Sequence, residues 1–375
     1  MPEKRIRYNF HGVKSLTMPY YGIMKPHKPL TFLFLIFFTC NCYKVISQTP
    51  ANDLNWMLDT AKSDEFNGNS INPAKWHILD CPSGDCCNFG GATAFEKGNA
   101  IVSGGLLQLR SDGPGYAPIP CNRETFATGG ITSDSFNYSY GYFEIYAQLP
   151  GFIDGSGAPH ADKFWPTFWM SYNPICSIHN EIDIMDECCC LYSDAKSTGS
   201  GWGEAGNGAD SCQAQIAGFY LYTSPTTLCN SFHKYAVEWN TNTMIFYRDG
   251  LPYFQTYNKP SMTMNPMKIF LDLQLSNSCN FYSGTLFPQY YSIDYFRYYK
   301  LKLDCGTSST ILSNTDLAAY IYSVKSDITF GNGSSNISLN TTDVKYFRAV
   351  NSITVNGTFT APLGSEFGLI PTACH

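Results

Sequence analysis

Apolar residues fall in short runs along this chain, alternating with polar ones, and Gly, Pro, Asn and Ser separate the runs. Gly105-Leu-Leu-Gln-Leu-Arg110, Gly141-Tyr-Phe-Glu-Ile-Tyr-Ala-Gln-Leu149, Lys234-Tyr-Ala-Val-Glu-Trp239, Met244-Ile-Phe-Tyr-Arg248 and Lys268-Ile-Phe-Leu-Asp-Leu-Gln-Leu275 are the clearest. A period of two sends successive side chains to opposite faces of a strand. No long segment carries the 3.6-residue period of an amphipathic helix. Many short strands joined by turn residues predict an all-β sandwich. Arg248-Asp249-Gly250-Leu251 predicts a hairpin turn, because Asp-Gly supplies the two positive-φ positions that a tight hairpin needs. The Gly- or Ser-rich segments 151–162, 197–210 and 276–285 read as loops that wall or cover a cleft. After Tyr299 the composition shifts and Trp disappears. Ile328-Thr-Phe330, Ile337-Ser-Leu339, Ser352-Ile-Thr-Val355 and Thr358-Phe-Thr360 predict a separate small β-module over 303–375, stapled by Cys305 and Cys374.

One run breaks the rule that strands avoid charge. Residues 180–187 read Asn-Glu-Ile-Asp-Ile-Met-Asp-Glu. Alternation puts Glu181 and Asp183 on one face and Ile182 and Ile184 on the other. Four acids within seven positions repel one another, so at least one is expected to hold its proton to higher pH than usual. A proton-holding carboxyl beside an ionised one is what glycosidic bond cleavage uses, the first donating a proton and the second attacking. The blander alternatives are a solvated acidic strand or a cation site.

Composition narrows the choice. Charged residues make up 14% and aromatic residues 15%, with 26 Tyr, 26 Phe and six Trp. Low charge with many Tyr, Thr, Ser, Asn and Gly suits an extracellular β-protein, and aromatic surfaces suit sugar rings. A net charge of −6 without a basic patch argues against nucleic acid. Near the start, Lys25 and Lys28 precede the apolar run Leu30-Thr-Phe-Leu-Phe-Leu-Ile-Phe-Phe-Thr-Cys40, which is short for a membrane span. Val45 and Ser47 offer a cleavage site, so 24–47 reads as a signal peptide, translation starting at Met18 or Met24. The mature chain then has no membrane span. Thirteen cysteines remain beyond Cys40 and Cys42. In an exported protein most are expected in disulfides, and Cys188-Cys189-Cys190 has no His at zinc-ligand spacing.

Several motifs, in order, resemble glycoside hydrolase family 16, the laminarinase and agarase group, over roughly 56–300. They are Ser63-Asp-Glu-Phe-Asn-Gly68 with Pro73-Ala-Lys-Trp76, Thr128-Gly-Gly-Ile-Thr132, Tyr140-Gly-Tyr-Phe-Glu144, Trp165-Pro-Thr-Phe-Trp169, Glu181-Ile-Asp-Ile-Met-Asp186, His233-Lys-Tyr-Ala-Val-Glu-Trp239, Tyr247-Arg-Asp-Gly250 and Ile293-Asp-Tyr-Phe-Arg-Tyr-Tyr299. The resemblance implies a β-jelly-roll with a glycan cleft across its concave sheet and cleavage with retained anomeric configuration. Glu181 corresponds to the nucleophile and Asp183 to the assisting carboxylate. The family's acid/base is a Glu, either two positions beyond that Asp or three with a bulge. Here the bulged position is Asp186, with Glu187 next. One bulge absorbs one residue and brings Asp186 to the face of Glu181 and Asp183. Aspartate is shorter than glutamate by roughly 1.3 Å, while retaining cleavage wants the two carboxyls about 5–5.5 Å apart. Asp186 is the first assignment for the proton donor. Glu187 is the alternative, in a flat strand or across a wider bulge.

Trp165 and Trp169 are candidate sugar-stacking groups, four apart and so on one strand face, and Glu144 is a candidate for the cleft. Trp239 is assigned to the core, and His233 to a structural hydrogen bond. Glu65 and Asp294 match family positions that hold a structural calcium on the convex side; no cofactor is required for the chemistry. The terminal run 346–367 resembles C-terminal β-stack modules of secreted Bacteroidetes-type proteins, which suggests surface association or sorting.

The expected organisation is an N-terminal extension and signal peptide (1–47), a jelly-roll hydrolase domain (48–302) and the small β-module (303–375). The expected function is secreted or cell-surface endo-hydrolysis of a β-linked polysaccharide by a monomer. Laminarin-type β-1,3-glucan or mixed-linkage glucan comes first, agar or carrageenan next. The alternatives are a non-catalytic glycan-binding sandwich and a surface adhesion protein.

Overall fold

A computed structural model describes residues 49–83, 93–113, 126–135, 137–156, 159–160, 163–175, 178–186, 196–203, 215–223, 228–229, 231–241, 243–257, 265–276 and 280–374. The signal-like segment 24–47, Glu187 and Cys188 to Cys190 lie outside them. Two compact units emerge, one within Ser47–Lys302 and one within Leu303–Cys374.

In the first unit, two mainly antiparallel sheets enclose an apolar interior. Among the described residues, one sheet has seven strands, in the order Gln215–Thr223, Lys196–Gly203, Ile178–Asp186, Phe164–Ile175, Lys268–Leu275, Gly130–Ser133, Trp76–Ile78. The other has ten and is centred on Phe232–Trp239, Gly141–Gln148 and Gln289–Leu301. Phe168, Met170, Ile182, Leu271 and Leu273 from the first sheet pack with Phe143, Ile145, Val237, Phe246 and Ile293 from the second. These residues sit in the apolar phase of the sequence alternation, so the two-period pattern and the sandwich core are one fact. The architecture is the all-β sandwich that the pattern predicts, with the jelly roll that the resemblance implies. Trp239 is in its core. The Asp249-Gly250 turn has φ values of 50° and 77° and joins Thr243–Arg248 to Leu251–Tyr257.

Two stretches expected to be loops carry strands. Lys196–Gly203 pairs with Ile178–Asp186 on one side and Gln215–Thr223 on the other. Its sequence, Lys-Ser-Thr-Gly-Ser-Gly-Trp-Gly, has no apolar alternation to betray it. Phe152–Ile153 and Pro159–His160 form a short pair inside 151–162.

In the second unit, Val324–Phe330, Val344–Val355 and Glu366–Pro371 pair in parallel, as do Asn336–Ser338 and Thr358–Thr360. The chain therefore winds in coils, laying a strand on the larger sheet and then one on the smaller. Ile328, Phe330, Ile337, Leu339 and Phe347 fill the interior. Ser313 caps the short helix Asn314–Ala319 by accepting from the Asp316 N–H. Cys305 and Cys374 are disulfide-bonded across 69 residues.

Candidate active site

The strand Ile178–Asp186 lies against Phe164–Ile175 with a one-residue bulge. Thr167 is opposite Asp186 and Phe168 opposite Met185, and then Trp169 is opposite Asp183 and Ser171 opposite Glu181. Ile184 is the extra residue. Ile182, Ile184 and Met185 are all in the core, so a bulge is required: without it, adjacent Ile184 and Met185 could not both face inward. The consequence is on the other face, where Glu181, Asp183 and Asp186 align with Ser171, Trp169 and Thr167. Glu181 and Asp186 are half-buried, and Asp183 is 9% exposed.

The next strand, Lys268–Leu275, completes the floor. Trp165 pairs with Gln274, Thr167 with Asp272, Trp169 with Phe270 and Ser171 with Lys268. Thr167 is thus flanked by two acids, Asp186 and Asp272. Lys268 stands in the row that contains Glu181. The alternation Lys268, Phe270, Asp272, Gln274 against Ile269, Leu271, Leu273, Leu275 put these groups on one face from the sequence onwards, but Asp272 was not among the candidate residues.

Each tryptophan serves an acid. The Trp165 indole N–H donates to Asp186 Oδ1, which orients the carboxyl. The Trp169 indole N–H donates to Asp272 Oδ2 at 2.7 Å. Trp169 also stacks on Phe270, with ring centroids 4.3 Å apart, and is only 9% exposed. Its role as a sugar platform is therefore corrected: its face is covered, and it braces the floor. Trp165 remains half-buried on the site face.

Asp272 has no exposed surface. Burial pushes its carboxyl up to about 6, against hydrogen bonds from Trp169, Gln274 and Thr167 that favour the ion, and the charge of Asp186 pushes the same way as burial. Opposite it is Gly130, where a Cβ would lie 2.9 Å from a Leu79 methyl and 3.0 Å from the Asp272 Cβ. Only glycine lets this strand approach so closely.

Three other candidates lie elsewhere. Glu144 is on Gly141–Gln148, in the opposite sheet, where Tyr142 and Tyr295 hydroxyls donate to it at 3.2 and 2.8 Å. Its strand alternates correctly, but Phe143, Ile145 and Ala147 take the core, so Glu144 faces away from the acidic strand. Glu65 accepts two 2.8 Å hydrogen bonds from Arg297, and Asp294 sits at a bulge in Gln289–Leu301. With both Glu65 oxygens taken by a guanidinium, the pair does not fit a calcium ion; among the described residues no three His, Cys, Asp or Glu side chains converge. His233 hydrogen-bonds Asp249 at 2.8 Å and Ser231 at 2.9 Å, a structural role.

The family model described as Glycosyl hydrolases family 16 matches residues 92–286, the segment that builds this floor. The chain belongs to that family. A glucan endo-1,3-beta-glucosidase A1 from Niallia circulans is 24% identical over 284 residues, covering 67% of this chain and 39% of that protein. The chain thus spans about two fifths of that relative. Among solved structures, the laminarinase catalytic domain of Thermotoga maritima MSB8 superposes with a TM-score of 0.51 at 23% identity, over 65% of this chain and 98% of that one. The endo-β-1,3-glucanase of Pyrococcus furiosus gives 0.51 at 20%, over 65% and 95%. A kappa-carrageenase from Zobellia galactanivorans gives 0.50 at 20%, over 66% and 96%. At such identities the likeness is one of fold.

Proposed function

We propose that this family 16 chain is an endo-acting hydrolase of β-1,3-linked glucan that works with retention through Glu181, Asp183 and Asp186. The observation that carries the reading is the one-residue bulge at Ile184, which aligns the three carboxyls on one face. A Glu181 oxygen attacks the anomeric carbon as the glycosidic C–O bond breaks, and the departing oxygen takes the proton of Asp186. Water then attacks the same carbon, returns a proton to Asp186 and frees Glu181. Asp183, between them, orients both. Trp165 orients the Asp186 carboxyl, and Lys268 places positive charge in the row of Glu181.

The glucanase relative supports β-1,3-glucan as the first substrate to test, with mixed-linkage glucan, agar and carrageenan after it. Release of reducing sugar from each polymer, by the chain and by Glu181→Gln, is the experiment. Hydrolysis of laminarin that vanishes in the variant supports the reading. No release from any polymer, with binding retained, favours a binding-only sandwich, a second reading motivated by the short Asp at the donor position. The positive and apolar segments over 24–47 support export through a signal peptide. No helix among the described residues is long and apolar enough to cross a membrane.

A further inference from the structure

A pocket of about 610 Å3 opens on the outer face of the ten-stranded sheet, on the sheet that does not carry the acidic strand. That volume falls within the ~300–1,000 Å3 usual for small-ligand sites. Glu144 lines it. This carboxylate is only 7% exposed, and the Tyr142 and Tyr295 hydroxyls fix its orientation. One step along the same strand face, Tyr146 stacks with Tyr295 at 6.0 Å and packs against Phe232 at 5.1 Å. Across the strand pairing, Lys234 is opposite Tyr146, and Arg297 is opposite Glu144. Arg297 is held by its two hydrogen bonds to Glu65 and lies 3.8 Å over the Tyr295 ring. The segment Thr49 to Asn52 and the Asp249–Leu251 turn form the rim.

The lining defines the ligand. Lys234 and Arg297 balance Glu144 and Asp249, so neither a polyanion nor a polycation is favoured. A carboxylate in the wall disfavours a lipid tail, since its desolvation would go uncompensated. Half-buried aromatic rings beside a held carboxylate and guanidinium and the Lys234 ammonium suit a neutral ring with an apolar C–H face and a hydroxyl edge. We propose that this pocket is a second, non-catalytic glycan-binding site that takes a short stretch of neutral pyranose units. Its identity as a β-1,3-glucan site rests on the proposed function. Its effect is avidity: a polymer held here keeps its other segments near the acidic strand at a raised effective concentration.

The test uses the full chain and a β-1,3-linked glucohexaose as probe. Calorimetry of Glu181→Gln should give two sites per chain. Lys234→Ala and Tyr146→Ala, each checked by thermal melting, should remove one of them. In the otherwise wild-type chain they should weaken retention on insoluble β-1,3-glucan by ~10-fold or more, while hydrolysis of the short oligosaccharide stays within about 2-fold. Lys234→Ala removes a half-buried surface group and keeps the test usable if the tyrosine variant folds poorly. A single site, lost in Trp165→Ala and untouched by Lys234→Ala, overturns the proposal. Hydrolysis with no pocket-dependent binding also overturns it while leaving the hydrolase reading intact. Pocket-dependent binding without hydrolysis supports it and sinks the hydrolase reading instead.

Discussion

Asp272 should act as a pH-dependent weak point in the candidate site's floor. Its carboxyl is raised from 3.8 to about 6, chiefly because it is buried. The folded protein therefore holds this proton more tightly than the unfolded chain does. Between pH ~4 and ~6 the unfolded chain ionises while the folded one resists, so stability falls as pH rises through that window and levels off above it. The rise from 3.8 to about 6 corresponds to ~3 kcal/mol at ~1.4 kcal/mol per pKa unit. Asp272→Asn keeps an oxygen for the Trp169 indole and removes the charge. At pH 4, where Asp272 is neutral, variant and wild type should melt within a degree or two of each other. At pH 8 the variant should melt ~6–12 °C higher, taking ~2–4 °C per kcal/mol for a domain of this size. Melting curves of both proteins from pH 4 to 8 measure the difference directly, and most other titrations cancel in it. A gap that stays constant across this range, or a variant less stable at pH 8, would refute the burial argument.

Removing the Asp272 charge should also let Asp186 lose its proton more easily. The alkaline limb of the rate profile should move to lower pH in Asp272→Asn, as rate measurements from pH 4 to 9 would reveal. Asp186→Asn should abolish that limb and cost ~100-fold or more in kcat, and Glu187→Gln should cost much less; the reverse order in steady-state kinetics would assign the donor to Glu187. Gly130→Ala should destabilise by ~1–3 kcal/mol, as overpacking does, because its methyl would press on Leu79, Phe95 and the Asp272 Cβ; denaturant unfolding reads this out. A chain ending at Lys302 should fold and keep its activity, and loss of soluble protein would show that 303–375 is part of the same folding unit.

The bulge explains why the acidic strand was readable in the sequence. Ile182, Ile184 and Met185 need the core, and Glu181, Asp183 and Asp186 need the other face, so the order of apolar and acidic residues encodes the one-residue irregularity. Asp272 was harder to find. Its strand alternates plainly, but its place beside Asp186 depends on the register between Phe164–Ile175 and Lys268–Leu275, about a hundred residues apart, and alternation along one strand says nothing about its partner. Glu144 failed for a related reason: two-residue alternation separates two faces without saying what lies beyond each. Lys196–Gly203 was hidden because a Gly- and Ser-rich strand held by backbone pairing leaves no apolar signature.

The central claim is that Glu181 forms a bond to sugar. A 2-deoxy-2-fluoro β-1,3-gluco-oligosaccharide with a good leaving group should trap that intermediate, because the fluorine slows its breakdown more than its formation. Mass spectrometry of the digested protein should then find one added glycosyl unit on the peptide that contains Glu181, and none in Glu181→Gln. Hydrolysis of β-1,3-glucan by a chain that carries the label on another residue, or no labelling at all, would contradict the account.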